Sequence, residues 1–86
     1  MFTVILSQRA QKQKSLLKQA GLDGRARLLL DLLRKNPYQT PPSYEKLRGD
    51  LAGLCSRRIN RQHRLVYEVN EEKKEVFVLS MWTHYE

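Results

Sequence analysis

The apolar residues of this chain follow a strand spacing at the N-terminus, a helical spacing next, and a strand spacing again in the second half. The opening run FTVIL is β-branched and apolar and stops at Ser7, a favourable helix N-cap. We therefore expect a short strand and then a helix from about Gln8 to Ala20, ended by Gly21. The narrow apolar stripe of this helix consists of Ala10, Gln13, Leu17 and Ala20, with Leu16 beside them.

A second helical pattern follows at once and is more apolar. Its wide stripe consists of Ala26, Leu29, Leu30 and Leu33, at the i, i+3, i+4, i+7 spacing, widened by Leu28 and Leu32. Asp23 is the expected N-cap, and the helix should stop at Asn36 because a residue before proline avoids the α region. The link between the helices is so short that they are expected to form an antiparallel hairpin.

The second half of the chain has the pattern of a proline-rich loop followed by an antiparallel meander. The loop PYQTPPSY leads to a brief extended piece at YEKL and a turn at RGDLAG. Strands are expected near Leu54 to Asn60, Arg64 to Val69 and Val76 to Trp82. The expected fold class is α+β, in a single domain over residues 1–86: a short N-terminal strand and an antiparallel two-helix hairpin packed on one face of a twisted, mostly antiparallel small β-sheet.

Side-chain alternation predicts which residues reach the open face of that sheet. If Leu65, Tyr67 and Val69 pack on the helices, the residues that point to the open face are Arg64, Val66 and Glu68. In a regular last strand, one face would carry Phe77, Leu79 and Met81 and the other Val78, Ser80, Trp82 and His84. Alternation alone does not decide which of these two faces is open.

Composition adds a strong positive charge to this picture. Sixteen Lys and Arg against nine Asp and Glu give a net charge of +7 and an isoelectric point near 9.9. Such a balance favours a polyanion, mainly nucleic acid, or an acidic protein partner, although a basic surface without a specific ligand is equally common.

Cysteine usage and hydropathy exclude several classes of protein. The lone Cys55 excludes an internal disulfide framework and any Cys-rich zinc site, so we expect neither metal nor cofactor. The apolar start lacks the features of a signal peptide, and no stretch approaches the roughly 18–20 apolar residues of a membrane span. We therefore expect a cytoplasmic protein without a membrane partner.

A few residues could together supply the chemistry of RNA cleavage. Each has an ordinary explanation by itself, as a solvated charge, a soluble strand edge or a disordered terminus. Together, Glu45, Arg64 and His84 could supply a base for a ribose 2′-hydroxyl, a cation for the charge on the phosphate, and an acid for the leaving oxygen. Trp82 and Tyr85 are the better candidates for stacking on bases, since alternation predicts that Tyr67 lies in the core.

The run EKLRGDLAGLCSRRINRQHRLVY, followed by a terminal HY, resembles the Txe/YoeB branch of the RelE-like bacterial toxins. The resemblance spans essentially the whole chain, and the spacing of S-R-R-I and H-R-L-V-Y is specific. It implies a RelE-like fold and a ribosome-dependent mRNA endonuclease that enters the decoding site, cuts the codon there without a metal, and is inhibited by a cognate antitoxin.

The resemblance also implies a role for individual residues. Glu45 matches the general base of the family, Arg64 the arginine that stabilises the transition state, and His84 the general acid. Arg48 and Arg58 match basic positions that hold the RNA backbone, and Tyr85 matches the C-terminal tyrosine of the family. Independently of the resemblance, Arg57, as the neighbour of Arg58, and Trp82, as an aromatic residue, are also expected to contact RNA.

Three positions depart from the family pattern: Lys46 replaces a usual Pro, Cys55 replaces a usual Trp, and Glu86 follows the usual terminal Tyr. The charge of Glu86 should raise the imidazole pKa of His84. We expect this tail to reduce or retune activity rather than abolish it.

The implied partners are an antitoxin, the ribosome with its mRNA, and operator DNA only through the antitoxin complex. The antitoxin would be of the YefM or Axe type, with an acidic, initially disordered C-terminal segment that wraps around the toxin. Homodimer formation is left open. Two alternatives remain: a non-catalytic binder like the gyrase toxins of this fold, and a degenerate co-repressor. The combination of Glu45, Arg64 and His84 favours the nuclease.

Overall fold

Two helices pack on one face of a five-stranded mixed sheet in the computed structural model, which describes the backbone of residues 1–84 and the side chains of residues 1–82. The elements are β1 (Thr3–Leu6), α1 (Gln8–Gln19), α2 (Asp23–Lys35), β2 (Glu45–Lys46), a 3₁₀ turn (Gly49–Leu51), β3 (Leu54–Arg58), β4 (His63–Asn70) and β5 (Glu75–His84). The strand order is β1-β5-β4-β3-β2; β1 pairs in parallel with β5 and the other neighbours are antiparallel. The expected α+β class is confirmed.

The ends of α1 follow the sequence signals, whereas the start of α2 does not. The Oγ of Ser7 accepts a hydrogen bond from the N–H of Ala10 at 3.0 Å, which is an N-cap contact. At the other end Gly21 has a φ of +73°, and the following N–H bonds back to Leu17, a Schellman ending that favours glycine. The expected cap at Asp23 is wrong, because Asp23 lies inside the first turn and Leu22 precedes it without a side-chain cap.

The core lies between the helices and the centre of the sheet. Its buried members include Ala10 and Leu17 of α1, Ala26, Leu29 and Leu33 of α2, and Leu65, Tyr67, Val76, Val78 and Met81 of β4 and β5. The apolar stripe of α2 is narrower than expected, since Leu28 is 71% exposed. The remaining apolar positions of α2 follow the predicted spacing.

Alternation is confirmed in β4 and wrong in β5. Leu65 and Tyr67 are fully buried in the core that includes the helix residues, as predicted, and Glu68 is exposed. Val66 shares the face of Glu68 but is only 8% exposed. The register of β5 with β4 shifts twice. The first shift lies between the pair Tyr67–Val78 and the pair Val66–Ser80, and the second lies between Val66–Ser80 and Arg64–Thr83. At each shift β5 contains one residue more than β4. Each β-bulge of this kind reverses which residues point inward. The predicted common face of Phe77 and Met81 is therefore broken: Phe77 is 42% exposed, whereas Met81 lies in the core.

Candidate active site

The acidic side chain of the predicted site is presented by the two-residue strand β2. Glu45 pairs with Ser56 of β3, and Ser56 pairs in turn with Val66 of β4. Arg64 lies two residues before Val66 and therefore points to the same face of the sheet, the one opposite the buried Leu65. Cross-strand register thus brings Glu45, Ser56 and Arg64 together on the open face.

Direct contacts join these three side chains. The Nη1 atom of Arg64 lies 3.4 Å from Oε1 of Glu45 and donates a hydrogen bond to Oγ of Ser56 at 3.2 Å. The side chain of Arg64 is only 11% exposed, whereas that of Glu45 is 63% exposed. The cation is therefore held in place by its surroundings, while the carboxylate can be reached by a ligand.

The pair lies in a groove of about 240 Å³. Its lining residues are Pro42, Ser43, Tyr44, Glu45, Ser56, Arg58 and Arg64. Arg58 is directly opposite Arg64 in the ladder between β3 and β4. Two guanidinium groups against one carboxylate leave the groove with a net positive charge, which suits a phosphate group.

The backbone of His84 lies at the same end of the sheet as Arg64. Arg64 pairs with Thr83 of β5, and His84 pairs with His63 in the next position of the ladder. The strand that carries His84 is thus the direct neighbour of the strand that carries Arg64. The side chain of His84 lies outside the described residues, as do Tyr85 and Glu86, so their predicted roles stay predictions.

Arg57 was expected to contact RNA, and its position contradicts that expectation. The residue is 1% exposed, and its guanidinium bonds to the hydroxyl of Tyr67 and to backbone carbonyls of the proline loop, residues 37–44. Alternation places Arg57 on the opposite face of β3 from Ser56 and Arg58. The proline loop covers that inner face, so Arg57 is part of the interior and cannot reach RNA.

The two remaining expected RNA contacts lie outside the groove lining. Arg48 is exposed and immediately precedes the 3₁₀ turn. Trp82 is half-buried, and its ring stacks on the buried His63 with 3.7 Å between ring centroids and 18° between planes. His63 thus covers one face of the indole. Contact of either residue with RNA stays a prediction.

Sequence reasoning missed Ser56 as a member of the site. The signal was present in the S-R-R-I motif, because Ser56 and Arg58 are two residues apart in a strand and so point to the same face, whereas Arg57 points to the other. Tyr44, at the end of the proline loop, lines the same groove, with its ring centroid 4.8 Å from the Cζ atom of Arg57.

The described part of the chain contains neither a cluster of metal ligands nor a helix that could span a membrane. Among the residues that the structure describes, no three His, Cys, Asp or Glu side chains are grouped so that they could hold a metal ion. None of the helices in the described part of the chain is long and apolar enough to cross a bilayer.

A family model and a curated relative agree on one family of toxins. A family model described as the YoeB-like toxin of bacterial type II toxin–antitoxin systems matches residues 9–85. The curated Toxin YoeB of Synechocystis sp. is 34% identical over 76 residues, which are 88% of this chain and 79% of the relative.

Solved structures of the same group share the fold. A YoeB/ParE toxin from Agrobacterium tumefaciens aligns with a TM-score of 0.86 at 24% identity, over 98% of this chain and 100% of that one. A chain of the heterotetrameric YoeB–YefM toxin–antitoxin complex from Staphylococcus aureus aligns with a TM-score of 0.80 at 28% identity, over 99% of both chains.

Proposed function

This chain belongs to the YoeB-like toxins of bacterial type II toxin–antitoxin systems, and from that membership we propose that it is a ribosome-dependent endoribonuclease that cleaves mRNA in the ribosomal A site and so inhibits translation. The observation that best supports the proposal is the contact of Glu45 with Arg64, at 3.4 Å, in an open groove beside a second arginine. A base and a cation at this distance suit attack on a phosphodiester.

The proposed reaction is an internal displacement at phosphorus. Glu45 takes the proton of the ribose 2′-hydroxyl, and the 2′-oxygen attacks the adjacent phosphorus. The bond from phosphorus to the 5′-oxygen breaks, and His84 gives its proton to that oxygen. The products are a 2′,3′-cyclic phosphate and a 5′-hydroxyl, and the proton transfers use side chains alone.

In this proposal, substrate binding releases the carboxylate from its ion pair. Arg64 contacts Glu45 in the free protein, and an entering phosphate would compete for the same guanidinium. Arg58, directly across the ladder, adds a second cation for the phosphate oxygens. Arg64 then stabilises the charge that develops on the phosphate, while Glu45 is free to accept the proton. Arg48 would hold the RNA backbone, and Trp82 and Tyr85 would stack on bases.

The proposed partner is an antitoxin of the YefM type. The Staphylococcus aureus relative is described in a complex of YoeB with YefM, and a second structure from that organism is described as a YoeB dimer. An acidic antitoxin segment would cover the cationic groove and so block RNA. Operator DNA would be bound only through this complex, and the free toxin would act in the cytoplasm, on ribosomes.

Primer extension on an mRNA translated by purified bacterial ribosomes tests the proposal. We expect cuts within codons that require the ribosome. Cleavage should fall about 10²- to 10⁴-fold in Glu45→Gln, since a positioned base contributes that much, and it should fall strongly in Arg64→Ala and His84→Ala. Arg61→Ala, at an exposed position of the β3–β4 turn, is the matched control and should cut like the wild type.

Two outcomes would contradict the nuclease proposal. Folded wild-type protein that binds its antitoxin but makes no ribosome-dependent cuts would favour a binding role, on gyrase or as a co-repressor. Unchanged cleavage in Glu45→Gln and Arg64→Ala would show that the groove is not the site of the reaction.

A further inference from the structure

We propose that Arg57 is a positioning residue of the cleavage reaction: it fixes the proline loop and thereby holds Glu45 in place. The inference rests on the proposed nuclease function and concerns a residue that does not touch the RNA. It follows from the contacts of one buried guanidinium, the covalent path from the loop to Glu45, and the brevity of β2.

The guanidinium of Arg57 binds three carbonyl groups of the proline loop. Its Nη2 atom donates to the carbonyl of Pro37 at 2.9 Å and to that of Gln39 at 2.8 Å. Its Nη1 atom donates to the carbonyl of Pro42 at 2.7 Å. A loop without helix or strand structure has few partners of its own for its carbonyls, so these bonds define its course.

Two aromatic side chains complete the site of the guanidinium. Its Nε atom donates to the hydroxyl of Tyr67 at 3.0 Å, and that hydroxyl donates to the carbonyl of Pro37 at 3.2 Å. The ring of Tyr44 lies 4.8 Å from the guanidinium carbon, within range of a cation–π contact. A buried charge is stable only when such partners replace water. The planar guanidinium has enough donors, at fixed angles, to bind the three carbonyls and the hydroxyl at once, whereas a lysine ammonium does not.

The position of Glu45 depends on this loop because β2 has only two residues. On its C-terminal side, β2 continues into a bond from the N–H of Leu47 to the carbonyl of Leu54. On its N-terminal side, Glu45 directly follows Tyr44, the last residue of the loop that Arg57 binds. Glu45 also pairs with Ser56, the residue before Arg57 in β3. Loss of the guanidinium would free the loop and displace the carboxylate from Arg64.

The test compares Arg57→Lys with wild type in single-turnover cleavage on ribosomes carrying mRNA. We expect the maximal rate at saturating toxin to fall about 10- to 100-fold, since a displacement of about 1 Å can cost 10²-fold. The toxin concentration at half saturation should stay within about 2-fold, because the exposed cations are intact. Arg58→Lys should instead raise the concentration at half saturation, and Arg61→Lys should change neither quantity.

Chemical rescue separates positioning from general structural damage. Arg57→Ala leaves a cavity shaped for a guanidinium, and millimolar guanidinium or ethylguanidinium should restore part of the maximal rate. The same additives should not rescue Glu45→Gln. Antitoxin binding and circular dichroism report whether Arg57→Ala is folded. If Arg57→Ala does not fold, the comparison of Arg57→Lys with wild type decides the inference.

The possible results distinguish this inference from the proposed function. No ribosome-dependent cleavage by wild-type protein would defeat the proposed function and this inference with it. Cleavage by wild type and an equal maximal rate in Arg57→Lys would overturn the positioning role alone. So would a loss of rate that parallels the loss of folded protein and is not rescued by guanidinium.

Discussion

At the scale of single residues, two adjacent arginines of the S-R-R-I motif lie in opposite environments. Arg57 is buried under the proline loop, whereas Arg58 lines the groove. Alternation in β3 predicts that they point to opposite faces. Alternation does not predict that the proline loop covers the inner face next to the helices. For that reason sequence analysis predicts RNA contact for both residues. The cover is a property of the tertiary structure.

Burial also changes the acidity of the tyrosine that contacts Arg57. Desolvation raises the pKa of Tyr67 to about 12, while the charge of Arg57 and its hydrogen bond act in the lowering direction. Well below pH 10 the tyrosine is neutral in both the folded and the unfolded chain. Between pH 10 and 12 the unfolded chain loses the proton first, so the unfolded state gains stability over the folded state.

The free energy of unfolding should therefore fall steeply between pH 10 and 12, by roughly 2–3 kcal/mol from Tyr67, since one pKa unit corresponds to about 1.4 kcal/mol. Tyr67→Phe should lack this contribution. It should be less stable than wild type at pH 8 by about 1 kcal/mol, from the lost hydroxyl bonds, and the difference should shrink or reverse by pH 11. Urea unfolding at pH 8, 10 and 11 measures this, and parallel curves for the two proteins would contradict it.

At the scale of elements, the first helix compensates the irregular strand β5. The hydroxyl of Ser7 donates to the carbonyl of Leu79 at 2.7 Å, and Oε1 of Gln13 accepts from the N–H of Met81 at 2.7 Å. Both partners lie where the register of β5 with β4 shifts. Backbone groups that a bulge removes from the ladder need such replacements when they are not in water.

Ser7→Ala tests this link between helix and strand. The substitution removes the N-cap of α1 and the bond to the Leu79 carbonyl together, so the free energy of unfolding should fall by about 1–3 kcal/mol. Ser15→Ala is the matched control, since Ser15 is exposed within α1 and alanine favours the helix. Urea unfolding of both variants measures the difference. Equal stabilities of the two variants would contradict the dual role of Ser7.

At the scale of the whole molecule, the positive charge is concentrated away from the groove. Residues 8–35 carry two acids, Asp23 and Asp31, and eight cations: Arg9, Lys12, Lys14, Lys18, Arg25, Arg27, Arg34 and Lys35. The helices cover the face of the sheet opposite the groove, so this layer holds most of the net charge of +7. A charge of this size attracts polyanions over a distance of about one Debye length, roughly 8–10 Å at physiological salt.

Association with the ribosome should therefore be fast and should weaken steeply with salt. Lys12→Glu with Lys14→Glu should slow association several-fold and flatten its salt dependence, while leaving the maximal cleavage rate at saturation unchanged. Lys73→Glu with Lys74→Glu makes the same change of charge in the β4–β5 turn. It should have a smaller effect, since Glu71, Glu72 and Glu75 already offset the positive charge there. Association rates that do not change with salt concentration would contradict this electrostatic role of the helices. Equal effects of the two double substitutions would contradict it as well.

The sequence by itself determined the order and type of the elements, the two-helix hairpin, the inward face of β4, and the family. These features depend on local periodicity and on motif spacing, which can be read along one chain. Only the tertiary structure decided the bulges of β5 and the burial of Arg57. It also decided the contact between Glu45 of β2 and Arg64 of β4. Such features depend on cross-strand register and on which segments compete for the same space, and no local pattern encodes either.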